Sequence, residues 1–317
     1  MAGFSVANNE HLIRSNLWSR DLKKLLEDEL MAMRFVRMIT DFPDGTTINI
    51  PSIGQAEVAD YDEGQAIRYT AMDTGNFTFT ITQYKQSASY ISEKMKQDSF
   101  YASDVVASFV PRQHRALMTA IETRILNRPT AGQTVANLNT INGGDHRFVG
   151  SGTSETISPK DFQRARFALH KANGPLNNLV AIVDPSVEYA LATSTNLVNV
   201  SNNPSWDGII RNGMSTGTRF LFNIYGFDVY VSNYLEGSLA ETIGGLTTTT
   251  GKANLFFSAT PGDTLPFVGL IRQAPKVESE FNKDLQREEY VTTCRYDFKL
   301  YRPENMVVVL TDDDQVA

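Results

Sequence analysis

Residues Thr46 to Tyr90 constrain this chain more than any other stretch. Thr46–Pro51 reads as a short strand closed by proline. Phe77, Phe79 and Ile81 alternate with Thr78, Thr80 and Thr82, the period of a strand with one apolar face. Between them, residues 52–76 are polar and turn-rich, with Gly54, Gly64 and Gly75 and the acids Asp60, Asp62 and Glu63 close together. Two strands parted by a long polar excursion make an extended β-arm, not a sheet with a core of its own. An isolated two-stranded arm is marginal in water. Such an arm is stabilised by lying on something, often a neighbouring subunit.

The remaining segments fall into an order. Leu22, Leu25, Leu26, Leu30 and Met33 recur at helical spacing and predict one amphipathic helix over about Arg14–Ile39. Phe42-Pro43-Asp44-Gly45 ends it with turn chemistry. Ile91–Arg128 is the longest helical stretch, with the stripe Val106, Val110, Leu117, Ile121 and Ile125. Pro111 lies inside it and is expected to kink or split the helix. Residues 130–157 read as connection with little regular structure. Ser158 and Asp161 then form a capping box with Pro159 at the first helical position. That helix stops at Asn173-Gly174-Pro175. Leu179–Val183 is a short apolar strand, and Asp184-Pro185 opens a helix to about Ser194. Phe220–Tyr225 and Phe227–Ser232 are strands, and Glu236–Lys252 is expected to be a surface loop. Thr292, Cys294, Tyr296, Phe298 and Leu300 share one face of a strand, with Arg295, Asp297 and Lys299 on the other. Pro303 breaks it before a final buried strand, Met306–Leu310.

Composition limits the function classes. A chain of 317 residues buries about three quarters of its unfolded surface, enough for one or two domains without disulfides or metal. Twenty-nine basic against 36 acidic residues leave a net charge of −7, which argues against a dedicated nucleic-acid binder. A single cysteine excludes an intrachain disulfide framework and any cysteine-based metal site. No apolar run approaches the roughly eighteen residues a membrane helix needs. Met1–Arg20 has no apolar core of signal-peptide length, so a cytoplasmic place of synthesis is expected.

No catalytic constellation emerges. Gly213-Met214-Ser215-Thr216-Gly217 has the spacing of a nucleophile elbow, but a strand pattern follows where a helix is needed. A serine hydrolase using Ser215 is the alternative from another functional class. Gly245–Lys252 resembles a phosphate loop with one residue too many and Ala253 in place of the hydroxyl. His11, His114, His146 and His170 have no metal-ligand spacing. Cys294 belongs to an apolar strand face and reads as a buried thiol. Asp60/Asp62/Glu63, Glu288/Glu289 and Asp312–Asp314 read as solvated or interface charges. No cofactor, metal or catalytic residue is expected, so the chain is not expected to be an enzyme.

An arm, a protrusion and a helix without local partners point to assembly. The order of elements resembles the major capsid (coat) proteins of tailed bacteriophages, the α+β fold called Hong Kong 97 type. Arg14–Asp44, Thr46–Tyr90, Ile91–Arg128, Ser158–Phe256 and Phe257–Thr311 match in order the N-arm, extended loop, spine helix, axial domain and return to the peripheral domain. Ala116-Leu117 with Ile121-Glu122 and Ile125-Leu126 resembles the end of the spine helix. Tyr225–Asn233 resembles the axial strand pair, and Tyr296–Val309 the closing strands. The implied divisions are 1–45, 46–90, 91–157, 158–256 and 257–317. The resemblance implies a structural protein that forms hexamers and pentamers of an icosahedral head around double-stranded DNA. Portal and scaffolding proteins, and a cement or decoration protein, are the implied partners; assembly is implied in the host cytoplasm and residence in the virion. An encapsulin-type compartment of the same fold is the alternative. The expected contacts between copies are Leu22, Leu26 and Leu30 on the N-terminal stripe, and Asp60, Asp62, Glu63, Arg68, Phe77 and Phe79 on the arm. The family's arm-like helix here starts near residue 14, so a cleavable scaffolding segment is either absent or served by a separate protein. Some members cross-link through a lysine on the extended loop. Thr46–Tyr84 holds no lysine, so no such bond is expected from it.

Overall fold

The computed structural model describes residues 30–40, 45–54, 56, 58, 60–64, 66, 72, 74–98, 102–127, 139–193 and 220–312. A 3-10 turn, Ala32–Phe35, leads into β1 (Val36–Met38). The arm follows as β2 (Thr47–Ile53) and β3 (Thr74–Thr80), then β4 (Gln83–Ser92), α1 (Glu93–Asp98) and α2 (Ala102–Leu126). Three short strands, β5 (Thr140–Ile141), β6 (Gly144–Asp145) and β7 (Arg147–Val149), precede α3 (Pro159–Lys171). The order continues with β8 (Leu179–Val183), α4 (Pro185–Thr193), β9 (Phe220–Ile224), β10 (Phe227–Val231), β11 (Leu239–Ile243) and β12 (Leu246–Ser258). Two long strands, β13 (Phe267–Asn282) and β14 (Arg287–Leu300), and β15 (Met306–Asp312) complete it.

The larger sheet has the order β7-β15-β12-β8-β10-β9, with β11 added on β12. Its strand β8 and the Met306–Leu310 stretch of β15 are apolar at every position because both faces are covered. Val307 and Val309 of β15 join Phe162, Ala165 and Leu169 of α3 and Val187 and Leu191 of α4. Met306, Val308 and Leu310 point the other way, into a core with Leu117, Ile121 and Ile125 of α2. The smaller sheet, β1-β13-β14-β4, lays Cys294, Tyr296 and Phe298 into that same core. β1 runs parallel to β13 with Met38 opposite Gly269. A Cβ at Gly269 would meet the Phe298 ring at 2.5 Å and Val36 at 2.8 Å, so this close approach needs glycine.

Much of this order was readable in advance. The Asp161 carboxylate accepts the Ser158 N–H at 2.8 Å and the Ser151 N–H at 3.0 Å, which fixes the start of α3. The predicted face of β14 is the buried one. Burial raises the Cys294 thiol above its ordinary pKa and pushes Tyr296 up to about 12. Cys294 is therefore expected to resist iodoacetamide in the native fold and to react fully once unfolded. Rapid native labelling would contradict this burial.

Five expectations are corrected. Residues 31–39 do not continue an α-helix: after the 3-10 turn, whose Met31 and Ala32 N–H groups are taken by the Glu122 carboxylate, β1 pairs with β13. The helix does not start at Ile91, because β4 continues to Ser92 opposite Arg287. Pro111 does not split α2, which runs as one helix through it. Pro111 and Ala107 are both exposed, so water can take the carbonyl that the missing N–H leaves unpaired. Residues 140–157 carry β5, β6 and β7, and the buried β7 extends the larger sheet beside β15. Glu236–Lys252 contains the hairpin of β11 and β12, where β-branched threonines suit a strand and Thr248 is buried.

Candidate assembly surfaces

The arm has a clamped root and a free end. At the root, Phe79 and Ile81 pack with Leu270 of β13, and Ile39, Ile48 and Phe77 lean on this cluster. Phe77 meets Tyr301 edge-on at 4.9 Å, and the Lys299 ammonium lies 4.9 Å from the Phe77 ring centre. Lys299 also donates to the Thr78 carbonyl at 2.8 Å. The alternation of β3 thus aims its aromatic face at the smaller sheet.

Asp297 is the centre of that attachment. It is 2% exposed. One carboxylate oxygen accepts the Thr82 N–H at 3.0 Å and the Thr82 hydroxyl at 2.6 Å. The other accepts two N–H groups of Arg124 at 3.2 Å each. A strand residue thereby joins the arm's exit to the last turns of α2. Sequence reasoning put Asp297 by alternation on the face of β14 away from the core, in solvent or at a charged contact. The signal it lacked was a partner, since Thr82 and Arg124 are remote in sequence.

Beyond the root the arm leaves its own chain. Ile53 is 76% exposed, Val58 95%, Tyr61 77% and Met72 55%. Asp60, Asp62 and Glu63 are exposed beside them. A folded monomer rarely presents this much apolar surface on one protrusion. The structure thus brings Asp60, Asp62 and Glu63 together at the tip. Phe79 does not join them: it is buried in its own chain and anchors the root, because its ring faces Leu270. Phe77 is half-buried there. Arg68, Leu22 and Leu26 lie outside the described residues, and Leu30 is half-buried.

A second attachment holds the N-terminal segment. Glu122, on the buried side of α2, accepts N–H groups of Met31 and Ala32 at 2.9 Å. Burial raises its pKa, while those N–H groups and the nearby Arg115 and Arg34 pull it down less strongly. A carboxylate whose folded pKa is raised favours the fold at acid pH, and that stability is lost as pH rises through the raised value. Glu122→Gln is therefore expected to flatten the fall in urea midpoint as pH rises from below the ordinary glutamate value of 4.5 to neutral. An unchanged pH dependence would remove Glu122 as its source.

The remaining candidates do not converge on chemistry. Ser215 and its glycines lie outside the described residues. Lys252 sits within β12, so the phosphate-loop resemblance falls in a strand. His146 is buried between the Gly144 and Glu304 carbonyls, whereas His114 and His170 are exposed; His11 lies outside the described residues. Glu288 pairs with Lys96, and Glu289 with Arg287. Asp312 accepts the N–H and hydroxyl groups of Thr249 and Thr250. Among the described residues, no three His, Cys, Asp or Glu side chains gather as a metal site, and no helix is long and apolar enough to cross a membrane.

Comparison with known families decides the class. The model of a family described as phage capsid protein matches residues 76–309. The chain belongs to the phage capsid protein family. Solved structures agree over almost its whole length. That of Mycobacterium phage Che8 superposes with a TM-score of 0.68 at 19% identity, covering 93% of this chain and 96% of the other. The capsid of cyanophage P-SCSP1u gives 0.70 at 14% identity, covering 97% and 94%. The capsid asymmetric unit of cyanophage Pam1 gives 0.66 at 15% identity, covering 99% of each. Comparison with curated proteins finds no match. The capsid protein thus has the Hong Kong 97 type fold, as the element order implied. It is a major capsid protein, a structural subunit of a bacteriophage head.

Proposed function

We propose that the capsid protein forms hexamers and pentamers, closes them into an icosahedral head, and encloses double-stranded DNA. The carrying observation is the arm, whose root is fixed by Asp297 and Phe79 while its tip leaves four large apolar side chains in solvent. Each tip lies over a neighbouring subunit of the same ring, with Asp60, Asp62 and Glu63 at the contact. The N-terminal stripe of Leu22, Leu26 and Leu30 makes the second contact between copies. In this reading the segments 1–45, 46–90, 91–157, 158–256 and 257–317 act as N-arm, extended loop, peripheral domain, axial domain and peripheral return. The larger core runs across the last two boundaries, so those segments share one packed interior.

Portal and scaffolding proteins are the partners this role implies, with a cement or decoration protein on the outer surface as a further candidate. Assembly takes place in the host cytoplasm. Shell strength comes from non-covalent contacts, since Cys294 is buried. Electron microscopy of the expressed protein tests the reading: closed shells with rings of six and five are expected, and a monodisperse monomer under all assembly conditions would refute it. Nuclease-protected DNA inside particles from infected cells tests the contents, and an enzyme cargo in its place would make it a protein compartment.

A further inference from the structure

The outward face of α3 runs against the charge of the rest of the molecule. The chain carries a net charge of −7. On α3, Lys160, Arg166, Phe167, His170 and Lys171 are exposed. The helix's one acid, Asp161, is buried and occupied by the Ser151 and Ser158 N–H groups. Helical periodicity makes this separation: Phe162, Ala165, Ala168 and Leu169 fill the inward side, so every cation is left outside.

Three of these cations, Lys160, Arg166 and Lys171, also face no carboxylate among the described residues. Arg37, Lys96, Arg124, Arg147, Arg287 and Arg302 each face a carboxylate elsewhere in the fold. On α3 only Arg164 does so, with Asp145 at 2.7 Å. Arg166 donates to the Tyr225 carbonyl at 3.0 Å, and the Lys171 ammonium stands 5.9 Å from the Phe167 ring centre. From Lys160 to Lys171 the row extends about 16 Å along the helix. Duplex DNA offers a negative charge about every 1.7 Å of its axis, so such a row meets several phosphates at once.

We propose that this face of α3 contacts the phosphate backbone of the enclosed DNA without reading its sequence. The proposal rests on the reading that the shell encloses DNA. Three neutralised phosphates give a log–log salt slope of about −3 and a weak affinity per subunit. Many copies in one wall sum these weak contacts, while the net negative charge keeps any single subunit from gripping DNA. An acidic surface of a second copy would suit the same charge, and the exposed Phe167 would suit it too, so the test separates the two occupants.

The full-length subunit is titrated with a random duplex of about twenty base pairs, followed by fluorescence anisotropy between about 20 and 200 mM salt. A slope near −3 is expected, with at least a tenfold loss in the triple variant Lys160→Glu, Arg166→Glu, Lys171→Glu. The milder triple change to Gln, which cannot repel its surroundings, is expected to lose the same slope with an unchanged circular dichroism spectrum. Both variants are expected to form shells. Salt-independent binding, or variants that bind as the parent does, would overturn the contact. Folded variants that no longer form shells would assign the face to a second copy instead. Purified particles without nuclease-protected DNA would overturn the enclosure reading and remove packaged DNA as the occupant, even with duplex binding intact.

Discussion

Asp297→Ala is expected to destabilise the capsid protein by about 3–5 kcal/mol, the cost of removing one partner of a buried ion pair. The carboxylate accepts the Thr82 N–H, the Thr82 hydroxyl and two N–H groups of Arg124. Alanine leaves all of them without it, and the Arg124 guanidinium, about a quarter exposed, keeps its charge. Urea unfolding measures the loss, and hydrogen exchange locates it: the Thr82 and β3 amides should lose protection first. Asp297→Asn separates charge from geometry. It can still accept from Thr82 but offers Arg124 a neutral group, so an intermediate loss is expected. A midpoint equal to the parent's in both variants would mean that Phe79 and Ile81 alone hold the arm's root.

The second large effect concerns the arm's free end. Ile53 and Thr74 lie directly opposite in the β2–β3 ladder. A two-residue Asn-Gly turn can therefore replace residues 54–73 and close the hairpin without altering its root. The shortened subunit is expected to fold, because Phe79, Ile81 and Leu270 are untouched, and to form no shells. Burying a large apolar side chain contributes about 1.5 kcal/mol or more. Val58, Tyr61 and Met72 are all removed, so each contact between copies weakens by about 4–5 kcal/mol, or about three orders of magnitude in association. Sedimentation and microscopy check this. Normal particles from the shortened chain would mean that the tip is not a seat of assembly.

How far the sequence led depends on how local each cause is. The capping box at Ser158 and Asp161, the alternation of Thr292–Leu300 and the twin strands of the arm are written within a few residues, and the structure contains them. The turn at Ala32–Phe35 is not local: its first N–H groups are satisfied by Glu122, about ninety positions away. Helical spacing there continued a pattern that tertiary pairing overrode. The β11–β12 hairpin was hidden for another reason. Thr247–Thr250 has little apolar content, yet its hydroxyls and N–H groups are bound by Asp312 and by the Leu239 carbonyl. The apolar arm tip was missed because Val58, Tyr61 and Met72 are scattered singly through a polar stretch, with no period to betray them.

The place of β15 in the larger sheet sets a clock on the molecule. Met306–Asp312 lies between β7 and β12, pairing with both, although it is synthesised after the other described strands. Until it emerges from the ribosome, Phe148 and Phe256 on one side and Leu255 and Phe257 on the other lack neighbours they bury against in the finished sheet. Pairing across such sequence separation is slow to form. A growing chain therefore cannot complete the body that carries the arm. The body that carries the arm closes only when its last described strand slots between two that were made earlier.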